Sequence, residues 1–143
     1  MANNFQKFVI SQTAAFIRGD KCLILEFARP EGKWGLPGGR MDEKELREPA
    51  FRRELKEELG LDDFELLGVA DYDIWYFSED RAVCGIVNLI RNDTAEIKLS
   101  PEHVQYKWVT REELGDYQFV WPTAVKLLES GFEFNNLINN KNK

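Results

Sequence analysis

The chain has 143 residues, 43% of them hydrophobic, and a formal net charge of −6 at pH 7. This length predicts one domain over residues 1–143, while the negative charge excludes a basic surface of the kind that binds DNA and argues against long RNA and anionic membranes. The sequence contains no run long and apolar enough for a membrane span, and "MANNFQKFVI" lacks the apolar segment of a signal peptide, so we expect a cytoplasmic protein.

The first part of the chain predicts a β-hairpin, a loop and a helix. The runs "FVISQTAAFI" and "KCLILEFA" are β-rich and apolar, and the turn-like "RGDK" lies between them. The segment "RPEGKWGLPGGR" is dense in glycine and proline and is interpreted as a loop. From there an apolar residue recurs at every fourth position, which predicts a helix over residues 47–59 with Pro49 in its first turn and Gly60 at its end.

The second part predicts more strands and one further helix. "FELLGVADYDIWYF" and "RAVCGIVNLI" form a second hairpin at "SEDR", and "VQYKWV" is a short strand. "WPTAVKLLESG" predicts a C-terminal helix that ends at Gly131, and residues 1–5 and 135–143 are expected to be flexible. Cys22 and Cys84 lie in apolar strand-like runs and are interpreted as separate buried thiols. Strands with helices inserted between them indicate a mixed α/β or α+β domain.

The segment "RRELKEELG" crowds three carboxylates, those of Glu54, Glu57 and Glu58, onto one face of the predicted helix. Like charges three or four residues apart destabilise a helix by a few tenths of a kcal/mol per pair. Either the face is merely solvated, or it holds a divalent cation such as Mg²⁺, which takes oxygen ligands. Arg53 is placed to pair with one carboxylate, and the glycines of the preceding "LPGGR" allow close approach of the backbone to a ligand.

The segment "GRMDEKELREPAFRRELKEELGL" resembles the Nudix box, and the "WGLP" before it resembles the usual lead-in to that box. The box specifies Gly, five residues, Glu, seven residues, Arg-Glu, an aliphatic residue, any residue, Glu-Glu, any residue, Gly and an aliphatic residue. The chain matches it at Gly39, Glu45, Arg53, Glu54, Leu55, Glu57, Glu58, Gly60 and Leu61. A lysine precedes the first glutamate, where glycine is frequent, and Pro49 stands where alanine is usual, but neither position is specified.

The resemblance implies a Nudix-type α/β/α sandwich, in which helices flank a mixed β-sheet, and a pyrophosphohydrolase that uses Mg²⁺ or Mn²⁺. By the same resemblance Glu54, Glu57 and Glu58 are catalytic metal ligands, and Glu54 is the candidate base for the attacking water. The Gly38 carbonyl would be a further ligand, and Arg53 would orient a helix carboxylate. The implied partner is a small-molecule nucleotide, and a homodimer is possible because many relatives dimerise.

Several residues outside the box are candidates for the same site. Glu102 is either a further metal ligand or base, as in several family members, or a helix-start carboxylate; the neighbouring His103 is expected on the surface. Arg29 is a candidate for phosphate contact. Val120 stands where the MutT branch has an asparagine that reads oxidised guanine, which weakens that role. The aromatic candidates for stacking on a base are Trp75, Tyr76, Phe77, Trp108 and Trp121, with Trp121 the best placed.

Three functions are compatible with this fold. The first is a metal-dependent hydrolase that cleaves a diphosphate bond in a nucleoside di- or triphosphate, or in a compound linked to a nucleoside diphosphate. The second is a non-catalytic nucleotide-sensing module, which would be expected to lack a carboxylate of the box. The third is isoprenoid-diphosphate isomerase chemistry, which needs a cysteine-based second site. The box favours the hydrolase and leaves its substrate open, because the box recognises only the metal and the pyrophosphate.

Overall fold

The computed structural model describes residues 4–141, and within them seven strands form one mixed sheet. The strands are β1 (Phe8–Arg18), β2 (Lys21–Phe27), β3 (Trp34–Gly35), β4 (Gly38–Arg40), β5 (Glu65–Ser78), β6 (Arg81–Arg91) and β7 (His103–Thr110). The helices are α1 (Arg47–Leu59) and α2 (Ala124–Lys141), with a short 3₁₀ turn at Leu114–Asp116. None of the described helices is long and apolar enough to cross a membrane.

The strand order β3-β2-β1-β6-β5 places β1 at the centre of the sheet, where it pairs in parallel with β6. The other pairings are antiparallel: β4 pairs with β1, β7 pairs with β2, and β5 pairs with β6. The predicted hairpin between β1 and β2 is confirmed at its turn, where Ile17 lies opposite Cys22. Since β1 also pairs with β6 and β4, it links the two halves of the sheet.

Each face of the sheet is covered by one helix, which confirms the predicted α/β/α sandwich. Alternate residues of a strand point to opposite faces, and on β1 Ala15 joins the core cluster under α2 whereas Phe16 joins the one under α1. The cluster under α2 contains Leu127 and Phe132 of that helix. The cluster under α1 contains three apolar residues of α1: Phe51, Leu55 and Leu59.

Helix α1 has the predicted bounds, and Gly60 ends it in the left-handed conformation at φ 65°. The predicted end of the C-terminal helix at Gly131 is wrong, because α2 continues to Lys141. Gly131 is buried, and a Cβ atom there would lie 2.5 Å from the Cβ of Ala15, so this glycine permits close packing of α2 on β1. Residues 135–141 therefore belong to α2; their predicted flexibility stays a prediction, and residues 1–3 and 142–143 lie outside those described.

The segment predicted as a glycine-rich loop contains the short strands β3 and β4. The prediction missed them because each strand has only two or three residues, too few for a periodic pattern. The two cysteines are free, as predicted: Cys22 is buried and Cys84 is half-buried.

Candidate active site

A cavity of about 510 Å³ lies where β4, the C-terminal half of α1 and the segment before α2 meet the sheet. Its acidic lining residues are Asp42, Glu54, Glu58 and Glu102. Its aromatic lining residues are Phe27, Trp75, Phe77 and Trp121. The rings of Trp75 and Trp121 pack together with centroids 4.9 Å apart. The cavity therefore combines carboxylates with a paired aromatic wall.

Two consecutive glycines bring β4 against the glutamates of α1. Gly38 has φ 135°, and a side chain there would overlap the carbonyl of Gln12 on β1. From this position the Gly38 N–H donates to the Oε1 atom of Glu58 over 2.9 Å. The next residue, Gly39, faces the carboxyl group of Glu54, whose Cδ atom would lie 2.6 Å from an added Cβ. The positions of both carboxylates therefore depend on the absence of a side chain at Gly38 and Gly39.

Arg53 connects the carboxylates around α1. Its guanidinium donates to both oxygens of Glu45, over 2.8 and 2.7 Å, in a bidentate pair. Its Nη1 atom lies 3.1 Å from the Oε1 atom of Glu54 and 3.3 Å from the Oε2 atom of Glu57. The bonds from Arg53 lower the pKa of Glu45 to about 2, and those to Glu45 raise the pKa of Arg53. Arg53 is therefore placed to orient the Glu54 carboxylate.

The segment between β6 and β7 carries Glu102 to the end of α1. The Ser100 N–H donates to the carbonyl of Glu58 over 3.1 Å, and the Lys98 N–H donates to the carbonyl of Leu59 over 2.8 Å. On its other side, the carbonyl of Glu102 accepts the Ala28 N–H over 2.9 Å. These bonds attach the segment both to α1 and to the end of β2.

The prediction of His103 on the surface is wrong, because the residue is only 6% exposed. Its imidazole packs against the ring of Phe27 with centroids 5.0 Å apart. Burial lowers the pKa of His103, although the nearby charge of Glu102 opposes this shift. A side-chain nitrogen of His103 and carboxylate oxygens of Glu58 and Glu102 all lie within 4.8 Å of one another.

The pKa values of Glu54 and Glu58 are raised. Burial is the main cause that raises the pKa of Glu58 to about 8; the Gly38 N–H lowers it, and the charges of Glu54, Glu102 and Glu57 raise it further. Burial likewise raises the pKa of Glu54. Carboxylate oxygens are the ligands that Mg²⁺ and Mn²⁺ prefer. The residues present therefore fit such an ion, whose charge would relieve the crowding.

The structure brings together some of the predicted site residues and separates others. The predicted residues that line the cavity are Gly38, Glu54, Glu58, Glu102, Trp75, Phe77 and Trp121. Arg53 and Glu57 lie beside it and contact each other, with the Glu57 side chain 60% exposed. Arg29 is exposed in the turn after β2 and does not line the cavity, so its contact with phosphate stays a prediction.

Sequence reasoning missed Arg40 and Asp42, which line the cavity. Arg40 directly follows the two glycines of "LPGGR", and this position next to a glycine predicted to bind metal was the available signal. It supplies a positive charge among the lining residues. Trp108, by contrast, packs edge-on against Phe16 in the core, with ring centroids 5.2 Å apart, and is no part of the cavity lining.

The chain is similar to known proteins in sequence and in fold. Residues 10–130 match the family model described as NUDIX domain. Nucleoside triphosphatase NudI of Escherichia coli is 32% identical over 60% of this chain and 67% of its own length. The Mycobacterium tuberculosis protein named "Putative 8-oxo-dGTP diphosphatase 2" is 34% identical over 74% and 76%. The crystal structure of a MutT protein from Methanosarcina mazei Go1 is 26% identical, covers 94% of this chain and 99% of its own, and superposes with a TM-score of 0.76.

Proposed function

The chain belongs to the NUDIX domain family and is a hydrolase of phosphoric anhydride bonds, and on that premise we propose that it hydrolyses a nucleoside triphosphate with Mg²⁺ or Mn²⁺. The observation that carries the proposal is the meeting of three glutamates, Glu54, Glu58 and Glu102, in one cavity with a tryptophan pair. The names of the two curated relatives, both given to enzymes that act on nucleoside triphosphates, favour this substrate over other compounds linked to a nucleoside diphosphate.

The cation would be held by the cavity-lining carboxylates Glu54, Glu58 and Glu102, together with Glu57 and the Gly38 carbonyl. When bound, it supplies the positive charge that offsets the triphosphate and activates water for attack. Within the protein, Arg53 holds Glu54 by a bond of 3.1 Å, which fixes the direction of its carboxylate. Glu54 accepts the proton of the attacking water, and its raised pKa brings it nearer to the range where a base works at neutral pH.

The nucleoside would lie against the aromatic part of the cavity. A base offers a flat π surface, and stacking on an aromatic side chain contributes roughly 1–3 kcal/mol per base without demanding a particular base. Trp121 and Trp75 are already packed together in the cavity wall, where they leave no room for a side chain at Gly85. This arrangement supports base stacking as the means of holding the nucleoside, with Arg40 near the phosphates.

The other two functions lack supporting features in the described residues. A sensing module would be expected to have lost a carboxylate of the box, and the chain keeps all of them. Isomerase chemistry would need a cysteine at the site, but neither Cys22 nor Cys84 lines the cavity. The hydrolase is the function that the geometry supports best.

The test is hydrolysis of a panel of nucleotides with Mg²⁺, with Mn²⁺ and with EDTA, followed by product analysis in water enriched in oxygen-18. We expect metal-dependent conversion of a nucleoside triphosphate to the monophosphate and pyrophosphate, with the label in only one product, which identifies the phosphorus attacked. Glu54→Gln should fold but turn over far more slowly. Turnover undiminished in EDTA, or in Glu54→Gln, would contradict the proposal.

A further inference from the structure

The only histidine of the chain is buried beside the glutamates with a nitrogen that makes no bond. His103 as a whole residue is only 6% exposed. No described residue offers its Nδ1 atom a hydrogen-bond partner. Leaving a buried polar atom without a partner costs roughly 1–3 kcal/mol, and such atoms are rare in native proteins. The unpaired nitrogen is therefore available to a ligand.

The distances between a His103 nitrogen and the neighbouring carboxylate oxygens are close to those between the ligands of a bound metal ion. One nitrogen of its ring and one oxygen each of Glu58 and Glu102 lie within 4.8 Å of one another. Oxygen and nitrogen ligands lie about 2.0–2.2 Å from a zinc-like ion. Ligands of one ion are then about 3–4 Å apart, so a small rotation of the side chains brings these three atoms onto a common ion.

The backbone fixes His103 and Glu102 in this arrangement. The His103 N–H donates to the carbonyl of Ser100 over 3.2 Å, and His103 pairs with Phe27 across β7 and β2. The Phe27 ring covers one side of the imidazole. Glu58 is held independently by the Gly38 N–H. Glu102 and His103 therefore come from one segment and Glu58 from helix α1, and the three side chains meet without any large movement of the chain.

We propose that His103 is a nitrogen ligand that, with Glu58 and Glu102, makes this cavity prefer first-row transition ions over Mg²⁺. Imidazole suits Co²⁺, Ni²⁺ and Zn²⁺, whereas Mg²⁺ takes oxygen ligands almost exclusively. An acidic site of oxygen atoms alone would discriminate less among these ions. The inference rests on the proposed function in that it uses the same cavity, but it concerns which ion binds and through which atom.

Wild-type protein provides the first test, because any imidazole signal must come from His103. Untagged protein is loaded with Mn²⁺, and electron spin-echo modulation is recorded for coupling to nitrogen-14. We expect coupling of the strength found for a directly bound imidazole. Its absence in protein that binds Mn²⁺ stoichiometrically would overturn the inference.

The second test measures affinity by calorimetry for Co²⁺ and for Mg²⁺ in wild type and in His103→Phe, which keeps a ring against Phe27 but has no ligand atom. We expect Co²⁺ affinity to fall by about 10- to 100-fold while Mg²⁺ affinity changes by less than about threefold. Equal changes for both ions would overturn the inference. If this variant does not fold, the spectrum of the wild-type protein decides alone.

The two tests also separate this inference from the proposed function. Hydrolysis by the wild-type enzyme with Mg²⁺, combined with no nitrogen coupling, would refute the role of His103 and leave the hydrolase proposal standing. Nitrogen coupling in a protein that hydrolyses no nucleotide would do the reverse.

Discussion

Replacing Glu58 by glutamine should stabilise the metal-free protein and make its melting temperature independent of added metal. Glu58 is 8% exposed and its carboxyl accepts only the Gly38 N–H among the hydrogen bonds of the described residues. Glutamine keeps an oxygen to accept that bond over the same 2.9 Å and has no charge to bury. The variant therefore removes the electrostatic cost of the site while it keeps the shape of the side chain.

The size of the effect follows from the pKa of Glu58. Burial raises this pKa from 4.5 to about 8, so the folded protein binds a proton that the unfolded chain has released. Glu58 makes its full contribution to the free energy of unfolding below pH 4.5, and this contribution is lost as the pH rises towards 8. The loss amounts to roughly 4 kcal/mol at pH 8 and to about 1 kcal/mol at pH 5. Without metal, Glu58→Gln should thus melt about 10 °C above wild type at pH 8 and only slightly above it at pH 5.

Thermal melting followed by circular dichroism at pH 5 and pH 8, with EDTA or with Mg²⁺, checks these values. Mg²⁺ should raise the melting temperature of wild type at pH 8 and leave Glu58→Gln unchanged, and the variant should lose nearly all turnover. Glu57→Gln is the matched control for stability, because Glu57 lies one residue away on the same helix with its side chain 60% exposed. An equal gain at both pH values, or the same pH-dependent gain in Glu57→Gln, would refute the assignment of the cost to buried Glu58.

Three further substitutions test the packing and the base-binding wall. Gly39→Ala would push a methyl group into the carboxyl group of Glu54, and kcat should fall at least about tenfold with little change in KM, as steady-state kinetics would show. Gly131→Val would force α2 away from β1 and should cost roughly 1–3 kcal/mol in urea unfolding; Gly115→Val, where an added Cβ meets nothing within 4 Å, should cost far less. Trp121→Ala should raise KM for a nucleoside triphosphate about tenfold, whereas hydrolysis of inorganic triphosphate, which has no base to stack, should keep its rate if that compound is a substrate.

The parts of the fold that sequence predicted best are those that local chemistry determines. Helix α1 has the predicted bounds because its signals lie within the helix itself: the apolar repeat, Pro49 in the first turn and Gly60 at its end. The Gly38 carbonyl was predicted as a metal ligand beside the carboxylates of the box; the Gly38 N–H contacts Glu58, so the two segments do adjoin, while the role of the carbonyl stays a prediction. Fixed spacing along one helix and one adjoining loop was sufficient for this.

The parts that sequence did not predict depend on contacts between distant segments. Gly131 has the local signature of a helix end, but packing of α2 on Ala15 decides its role. His103 is a polar residue beside an exposed glutamate, and only the pairing of β7 with Phe27 buries it. Arg40 reaches the cavity because β4 pairs with β1. No periodic pattern in the sequence predicts these contacts, because each of them joins residues far apart in the chain.

The crowded carboxylates of α1 are explained by the difference between an exposed and a buried acid. On a solvated helix face, their repulsion would cost only a few tenths of a kcal/mol per pair. The fold instead buries Glu58, and no arginine or lysine among the described residues forms an ion pair with it, since Arg53 reaches Glu54 and Glu57 instead. A buried charge without a partner costs several kcal/mol. This is an unfavourable electrostatic free energy that a divalent cation would remove. Because the cation would have to displace the proton of Glu58, its affinity should rise with pH up to about 8.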